Sequence, residues 1–470
     1  MEKTFKERKN SLNSVLIEDK QQYYLYDYYN GCILTIEEKV YNDIKRYIED
    51  PTATASEVVR KLDEYGMISG NREKIMVDNL SKDIAYLSFA PVYQCNFRCK
   101  YCFAEYGYQY RGEKKAFTRE GALEILNKFF FELFPKARQY RIDFVSGGEP
   151  LLGYQIIKDV ILYTEKMCKQ NGKKVSIWLC TNGSLLTEEI CEFLDEHNVA
   201  IGVSLDGDES SNDKNRIMID GKGTYKIVAK KIREIQENNN LSANFKKIWG
   251  LCTASNDNCD FVSIIEHFKK LKIEHAQIRL IRGKEKYDID SIMRKYTELK
   301  EYLLRSFKEK KYQNLYMILN DNDQFGKVLK RIILNKILVR RCNAGINKVT
   351  ICPDGEIYPC DSFVGIKEFQ IGHIKNNDLK NEKFRQALIN NRKACENCKF
   401  NLLCGSDCYY NAYVNTGNML EFDKEFCIIQ KHLIKLAIVL RYEIETYDEN
   451  EYERFVKRLE MRDIYGEMFG

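Results

Sequence analysis

Three cysteines lie close together in the run Cys95-Asn-Phe-Arg-Cys99-Lys-Tyr-Cys102. Three thiolates on one short loop can each bind one iron of a 4Fe–4S cubane, which leaves the fourth iron without a protein ligand. A structural zinc ion would instead require four protein ligands. A loop with three unrelated cysteines is the remaining interpretation, but the position directly after a predicted strand favours the cubane.

A second group of cysteines lies toward the carboxyl terminus. Its spacing is C-x12-G-x4-C, then C-x2-C-x5-C-x3-C, then one more cysteine. Residues 342–427 hold eight cysteines, and a small region this dense in cysteine is usually held together by metal, either iron–sulfur clusters or a zinc ribbon. Seven of the eight have this spacing. The seven residues are Cys342, Cys360, Cys395, Cys398, Cys404, Cys408 and Cys427.

Glycine-rich and polar loops follow the predicted strands. Gly147-Gly148-Glu149-Pro150 comes after the second strand, where the glycines let the backbone approach a ligand and Glu149 can accept from a ligand ammonium group. Thr181, Asn182 and Ser204 end two further strands, and their polar side chains suit a ribose. An ordinary β–α turn is an equally good interpretation of each loop taken alone.

The composition limits the class of protein. The chain has 470 residues, 17 cysteines and a formal net charge of +5, a surplus too small to indicate a nucleic-acid binder. Residues 1–20 are charged throughout and contain no signal-peptide core. No run approaches the roughly 18 apolar residues of a membrane span. We therefore expect a cytoplasmic protein with reduced thiols and no membrane partner, which leaves burial or metal binding as roles for the cysteines.

Alternating strands and helices would position these groups. Six apolar runs alternate with amphipathic helices, two of which begin at the N-caps Thr118 and Thr187, and this order predicts a parallel sheet. Six units are too few for a closed eight-stranded barrel, so we expect an α/β fold with a partial (β/α)6 barrel and its chemistry at the carboxyl ends of the strands. The runs are Tyr86–Tyr93, Ile142–Ser146, Val175–Thr181, Val199–Leu205, Lys247–Thr253 and Ala276–Ile281.

A smaller domain precedes this unit. Aromatic runs on either side of Asn30-Gly31 predict a hairpin. A helix from Ile36 follows, and Thr54 would open a second helix through a capping box with Glu57. The predicted organisation is a winged-helix-like α+β domain at 1–84, the partial barrel at 85–310, a helical connector at 311–341, a cysteine-rich domain at 342–430 and a helical tail at 431–470.

The first cysteine group and the loops, in this order, resemble the radical S-adenosylmethionine (SAM) superfamily over residues 85–283. The resemblance implies that Cys95, Cys99 and Cys102 bind a 4Fe–4S cluster whose open iron chelates SAM. Reductive cleavage of SAM would then give a 5′-deoxyadenosyl radical that removes one substrate hydrogen. The implied SAM contacts are Tyr101 at the adenine, Gly147, Gly148, Glu149 and Pro150 at the amine, Thr181, Asn182 and Ser204 at the ribose, and Arg216 at the carboxylate.

The second cysteine group resembles the SPASM domain, which holds two auxiliary 4Fe–4S clusters in peptide-modifying radical SAM enzymes. The resemblance assigns Cys395, Cys398, Cys404 and Cys427 to one cluster, and Cys342, Cys360 and Cys408 to another with an open iron.

Cys352 could complete that second cluster. However, a hairpin turning at Asp354-Gly355 with Cys360 opposite Val349 would put Cys352 on the other face, about 10 Å along the strand. We therefore expect an open iron that can accept a substrate thiolate.

The amino-terminal domain resembles the leader-peptide recognition element, which binds a leader peptide as an added strand; a structural cap is the alternative. Together these resemblances imply a thioether-forming maturase of the ranthipeptide or sactipeptide type. It would use SAM and three 4Fe–4S clusters, act on a ribosomally synthesised, cysteine-containing precursor peptide, and take electrons from a flavodoxin or ferredoxin. Carbon–carbon cross-linking and formylglycine formation are alternatives within this class, and a non-enzymatic iron–sulfur or zinc peptide-binding protein is the alternative outside it.

Overall fold

A computed structural model of the protein describes residues 14–50, 52–68, 83–102, 104, 117–145, 147–283, 286–376, 379–396 and 398–469. Two β-sheets organise these residues: a three-stranded antiparallel sheet near the amino terminus and a nine-stranded mixed sheet that forms the body of the protein.

The amino-terminal sheet is a meander of β1 (Ser14–Asp19), β2 (Gln22–Asp27) and β3 (Ile33–Ile36), followed by α1 (Glu38–Glu49) and α2 (Glu57–Glu64). The predicted hairpin around Asn30-Gly31 is confirmed, and β1 adds a third strand. The N-cap of α2 is Ser56, whose Oγ accepts from the Val59 amide, so the prediction of Thr54 as the cap is wrong. Ser56 caps the helix because it directly precedes the first helical residue, and its hydroxyl can reach the free Val59 amide.

Both faces of this small sheet are covered. Leu16 and Leu25 pack with Ile44 and Val59 of the two helices. The side chains of the opposite face belong to the main core, where Tyr24 contacts Tyr442 edge-on with ring centroids 5.3 Å apart. The outer edge of β3 has no strand partner among the residues that the structure describes.

The six predicted strands of the body are all present as parallel neighbours, and Thr118 and Thr187 cap the helices predicted to begin there. Ser146, the predicted end of the second strand, lies outside the described residues. The elements are β4 (Ile84–Phe89), α3 (Arg119–Asn127) with a π-helical continuation (Lys128–Leu133), β5 (Gln139–Phe144), a 3-10 turn (Pro150–Gly153), α4 (Tyr154–Gln170), β6 (Lys174–Thr181), α5 (Glu188–Glu196), β7 (Ala200–Ser204), α6 (Glu209–Asn215), α7 (Tyr225–Glu237), β8 (Trp249–Ala254), α8 (Phe261–Lys270) and β9 (His275–Leu280).

The cysteine-rich region joins the same sheet. Helices α9 (Ile289–Lys308), α10 (Gln313–Ile318) and α11 (Gly326–Ile333) lead to β10 (Lys348–Ile351), which pairs in parallel with β4. Strands β11 (Glu356–Tyr358) and β12 (Gly372–His373) extend the sheet antiparallel, so its order is β12-β11-β10-β4-β5-β6-β7-β8-β9. The hairpin was predicted locally, but its pairing with β4, more than 250 residues away in sequence, was not.

The register of this hairpin corrects a prediction. Thr350 pairs with Tyr358 and Ile351 with Ile357, so the position opposite Cys360 is Lys348 rather than Val349. The register shifts by one residue, and the argument that Cys352 points to the other face is therefore wrong. The distance argument becomes stronger, because Cys352 lies four residues along the strand from Lys348, or about 13 Å. Its side chain is buried.

Short helices complete the cysteine-rich region, and two long helices close the chain. They are 3-10 turns at Asp361–Phe363, Lys367–Phe369, Ile389–Asn391 and Lys393–Cys395, and helices α12 (Glu382–Arg385), α13 (Asn401–Cys404), α14 (Tyr409–Thr416), α15 (Lys424–Tyr447) and α16 (Glu449–Phe469). Within the described part of the chain, no helix has the length and apolar character needed to cross a membrane.

Candidate active site

The first cysteine group lies on a loop, residues 94–102, that follows the carboxyl end of β4; we call it the cysteine loop. Backbone hydrogen bonds fix it on two sides. The Arg98 amide donates to the Ile217 carbonyl at 2.7 Å, and the Glu149 amide donates to the Gln94 carbonyl at 2.9 Å. Its three thiols are therefore held in one place by the loops that follow β5 and β7.

The three thiols are close neighbours in a buried setting. Burial raises the pKa of Cys99 to about 11, the charge of Arg216 opposes this rise, and the thiols of Cys102 and Cys95 add to it. Among the described residues, no three His, Cys, Asp or Glu side chains converge tightly enough to bind a single metal ion. A cubane requires wider spacing, because each thiolate binds a different iron. Three thiols on one loop suit a cubane with one open iron, whereas a closed zinc site requires four protein ligands.

Gly147 and Gly148 allow their loop to pack directly on the cysteine loop. A Cβ atom on Gly148 would fall 1.8 Å from the Gln94 carbonyl oxygen. Gly147 has a φ of +83°, and its Cβ would fall 2.7 Å from that of Ala90. The sequence predicts glycines that admit a ligand; in the structure the space beside them is filled by the protein itself.

The Glu149 carboxylate is engaged inside the protein and is only 2% exposed. It accepts from the Thr181 hydroxyl at 2.6 Å, the Asn182 amide at 2.7 Å and the Leu151 amide at 3.1 Å. Burial raises the pKa of Glu149, and these three donors oppose the rise. The Glu149 side chain therefore links the loop after β5 to the end of β6. A contact between this loop and the SAM amine remains a prediction.

The predicted ribose residues also form internal contacts. Asn182 donates to Asn96 of the cysteine loop at 2.8 Å and accepts from the Ser184 hydroxyl at 2.7 Å. Burial raises the pKa of Cys180 on β6, and the hydroxyl of Ser204, at the end of the neighbouring strand β7, slightly opposes this rise. The structure therefore brings these residues to the same edge as the cysteine loop, as the sequence predicts.

Tyr101 and Arg216 share one partner, Asp206, which is fully buried. The Tyr101 hydroxyl donates to Oδ2 of Asp206, while Arg216 places Nη2 3.0 Å from Oδ1 and Nε 3.0 Å from Oδ2. Burial disfavours the charge of Arg216, but Asp206 and Tyr101 outweigh it and raise the pKa of the guanidinium. The predicted contacts of Tyr101 with adenine and of Arg216 with the SAM carboxylate would have to form beside this network. Sequence reasoning missed Asp206, although its Asp-Gly loop at a strand end was a signal.

Asn212 begins the run Asn212-Asp213-Lys-Asn-Arg216, which the resemblance to the radical SAM superfamily matches to a His-Asp-x-x-Arg run, and it is structural here. Its Oδ1 accepts from the Asp206 amide at 3.1 Å, and its Nδ2 donates to the Thr224 hydroxyl at 2.9 Å. The replacement therefore keeps the loop that carries Asp206 in place.

The second cysteine group separates into two sets of neighbours. Burial raises the pKa of Cys360, and the thiols of Cys408 and Cys342 raise it further. Burial likewise raises the pKa of Cys404 to about 12, with the thiols of Cys398 and Cys395 beside it. Cys427 has the same two neighbours. The two sets coincide with the division that the sequence predicts.

Cations lie beside both sets, and sequence reasoning did not single them out. The negative charge of Cys408 raises the pKa of Arg282, which follows β9. The charge of Arg341 opposes the burial-driven rise in pKa of both Cys342 and Cys404. An arginine directly before Cys342 in the sequence was the available signal.

A cavity of about 1220 Å³ opens at the amino-terminal ends of the strands, opposite the cysteine loop. Its wall includes Trp249 and His275, whose rings stack at 4.5 Å, and Cys342 of the second cysteine group. The Cys342 side chain is exposed to the cavity, although the residue lies deep within the protein. One predicted cluster ligand is therefore accessible from this cavity.

Two family models match the chain. The radical SAM superfamily model covers residues 90–253, and the SPASM iron–sulfur cluster-binding domain model covers residues 342–399. The first spans the cysteine loop and the loops around it, and the second includes Cys342, Cys360, Cys395 and Cys398.

Two curated relatives align over most of the chain. The radical SAM cyclopropyl synthase TigE of Paramaledivibacter caminithermalis is 25% identical over 449 residues, covering 88% of this chain and 88% of the relative. A cysteine-type anaerobic sulfatase-maturating enzyme of Clostridium novyi is 27% identical over 379 residues, covering 74% of this chain and 94% of the relative.

Solved structures share the fold. The sulfatase-maturating enzyme anSMEcpe with bound AdoMet superposes with a TM-score of 0.63 at 20% identity, over 80% of this chain and 98% of that one. Streptococcus suis SuiB bound to its precursor peptide SuiA superposes with a TM-score of 0.50 at 15% identity, over 88% of this chain and 98% of that one.

The chain therefore contains a radical SAM domain and a SPASM iron–sulfur cluster-binding domain. Its cofactors are SAM, a SAM-binding 4Fe–4S cluster and auxiliary iron–sulfur clusters.

Proposed function

We propose that the protein is a peptide maturase that joins a cysteine sulfur of a ribosomally synthesised precursor to a carbon of the same peptide. Cys95, Cys99 and Cys102 would hold the SAM-binding cluster. Cys395, Cys398, Cys404 and Cys427 would hold one auxiliary cluster, and Cys342, Cys360 and Cys408 the other.

The thiol set of Cys342, Cys360 and Cys408 carries this proposal. A cluster held by these three residues has three protein thiolates for four irons. A substrate thiolate would bind the open iron while a carbon of the same peptide faces the SAM-binding cluster. Cys352, about 13 Å along the strand from the position opposite Cys360, is too remote to occupy the open iron.

The bound cofactors supply the radical chemistry and remove the electrons. Forming a C–S bond from a C–H and an S–H bond is a two-electron oxidation of the peptide. One hydrogen atom leaves from carbon to the adenosyl fragment of SAM, one proton leaves from sulfur, and the remaining electron passes to the iron–sulfur centres.

The amino-terminal sheet supports leader recognition. Its two faces are covered, and its two edge strands, β1 and β3, each have an outer edge without a strand partner among the described residues; of these we take β3 as the edge for the leader. A leader peptide added there would form main-chain hydrogen bonds with β3.

Coexpression with short, cysteine-rich precursors encoded near the gene tests the proposal. We expect the peptide to lose two hydrogen atoms by mass, and one cysteine to resist alkylation by iodoacetamide. A Cys95→Ala enzyme is the matched control and should leave the peptide unchanged. Replacement of a cysteine SH by an aldehyde oxygen would instead establish formylglycine formation.

Carbon–carbon bond formation is the second candidate, and the match to TigE over 88% of both chains favours it. The same experiment separates the two reactions. A peptide that loses two hydrogen atoms while every cysteine still alkylates has formed a carbon–carbon bond.

A further inference from the structure

Arg392 is a buried cation in the cysteine-rich region. It lies three residues before Cys395 in the sequence, and it is only 1% exposed. No carboxylate of a described residue forms an ion pair with its guanidinium group. A buried charge without a counterion is strongly unfavourable. The position of Arg392 therefore indicates an anion that the side chains of the protein do not supply.

The contacts of this guanidinium group hold it in one orientation. Its Nη1 atom donates to the Ser406 hydroxyl oxygen at 2.6 Å. Its Cζ atom lies over the ring of Tyr409, 4.7 Å from the ring centroid. Its Nη2 atom is buried and has no hydrogen-bond partner among the described residues. One strong donor of Arg392 is therefore left for a group that carries negative charge.

Ser406 connects Arg392 with cysteines that are proposed to bind one auxiliary cluster. The Oγ atom of Ser406 lies 3.5 Å from the Sγ atom of Cys395. Because this oxygen accepts from Arg392, its own hydrogen can point toward that sulfur, and the donation from Arg392 strengthens this second bond. Burial raises the pKa of Cys404 to about 12, and the charge of Arg341 and the Ser406 amide oppose this rise. Ser406 is thus a neighbour of two of the four thiols.

An iron–sulfur cluster at these thiols would supply the missing anion. Four thiolates around a 4Fe–4S core give about two negative charges in the oxidised state and about three after the uptake of one electron. A nearby cation and hydrogen bonds to the sulfurs stabilise the more negative state more strongly. Both effects therefore raise the reduction potential of the cluster.

We infer that Arg392 is the counterion of an auxiliary cluster and, together with Ser406, raises the reduction potential of that cluster. The cluster is the one proposed for Cys395, Cys398, Cys404 and Cys427, and the inference rests on that part of the proposed function. In the proposed reaction, the higher potential favours this cluster as the acceptor of the electron that leaves the peptide. Both residues are positioning residues, because they act through the cluster and touch no reacting atom.

A redox titration of the anaerobically reconstituted, full-length enzyme tests the inference, with electron paramagnetic resonance as the readout. Added SAM identifies the signal of the SAM-binding cluster, and the signal that is lost in Cys408→Ala belongs to the other auxiliary cluster. The remaining signal reports the cluster beside Arg392. Iron content, measured on every variant, shows whether that cluster is loaded.

Arg392→Met removes the charge and keeps an unbranched side chain. It should shift the reduction equilibrium of this cluster at least about tenfold toward the oxidised form, which is a midpoint potential lower by about 59 mV for one electron. Arg392→Lys keeps the charge and should recover most of this shift. Ser406→Ala should give a smaller shift in the same direction, because it removes only one hydrogen bond to a sulfur.

The matched control is Arg294→Met, the same substitution at an exposed position of α9. It should leave the midpoint potentials of all three clusters unchanged. Arg392→Met should likewise leave the potentials of the other two clusters unchanged, since the effect of the charge is local.

An unchanged midpoint potential in fully loaded Arg392→Met overturns the inference. Where the variants of Arg392 fail to load the cluster, Ser406→Ala decides: a lower midpoint supports the inference, and the wild-type midpoint overturns it. Equal shifts of all three clusters assign Arg392 to the packing of the protein instead. A wild-type enzyme that holds only about eight irons, without this third cluster, overturns the proposed ligand set on which the inference rests.

Discussion

The guanidinium of Arg216 lies 5.4 Å from the ring centroid of Tyr101, and both side chains bind the buried carboxylate of Asp206. Tyr101 belongs to the cysteine loop, whereas Asp206 and Arg216 belong to the segment after β7. This network therefore fastens the loop that carries three cluster ligands to the far side of the parallel sheet.

Asp206→Asn should destabilise the protein by about 3–5 kcal/mol, because it leaves the buried charge of Arg216 without a counterion. Chemical denaturation measures the change, and iron analysis should show a poorly loaded SAM-binding cluster. Asp220→Asn is the control, since its ion pair with Lys222 is exposed and screened by solvent, and its loss should leave the stability essentially unchanged. Equal effects of the two substitutions would contradict a structural role for the Asp206 network.

Gly148→Ala should prevent the cysteine loop from reaching its position, because the added Cβ would overlap the Gln94 carbonyl oxygen. We expect loss of about four irons and of SAM cleavage, with the amino-terminal and cysteine-rich regions still folded. Gly172→Ala is the control: its φ of +62° adds strain of about 1–2 kcal/mol, but no atom lies within 4 Å of its Cβ. Normal SAM cleavage by Gly148→Ala would show that the two loops can separate without cost.

The reconstituted protein should contain about 12 irons in three cubanes. Cys408→Ala should lose one auxiliary cluster, whereas Cys352→Ala should retain all irons, because Cys352 is remote from Cys360 along the strand. Iron analysis and electron paramagnetic resonance of the two variants form a matched pair. Loss of about four irons from Cys352→Ala would mean a cluster fully ligated by protein, and the thioether proposal would lose its main support.

Thr35→Pro should weaken leader binding without unfolding the amino-terminal domain. The Asp27 amide donates to the Cys32 carbonyl, so residues 32, 34 and 36 form the backbone hydrogen bonds with β2. The backbone amide of Thr35 therefore points to the open edge of β3. Proline there removes that outward donor and is tolerated on an edge strand. Thr35→Val keeps the amide and is the control; precursor affinity, measured by fluorescence anisotropy, should fall for proline alone.

Much of this protein could be predicted from local sequence. Six apolar runs gave six parallel strands, and Thr118 and Thr187 gave two N-caps, because strand alternation and capping depend on residues close together in the chain. The resemblance carried by the cysteine motifs implied which thiols would share a cluster, and this ligand assignment stays a prediction. The prediction of Thr54 as the N-cap was wrong because Thr54 and Ser56 are both suitable cap residues, and only the path of the backbone determines which of them precedes the helix.

Other features were decided only by tertiary structure. These features are the pairing of β10 with β4, the hairpin register that puts Lys348 opposite Cys360, and the ion pair between Arg216 and Asp206. Each depends on pairing or packing that the local sequence pattern does not specify. A one-residue shift of register leaves hydrophobic periodicity almost unchanged but reverses every side chain. The sequence by itself determined that Arg341 precedes Cys342. Only folding placed Arg331 and Arg341 in the wall of one cavity, because burial and long-range charge depend on packing between distant elements.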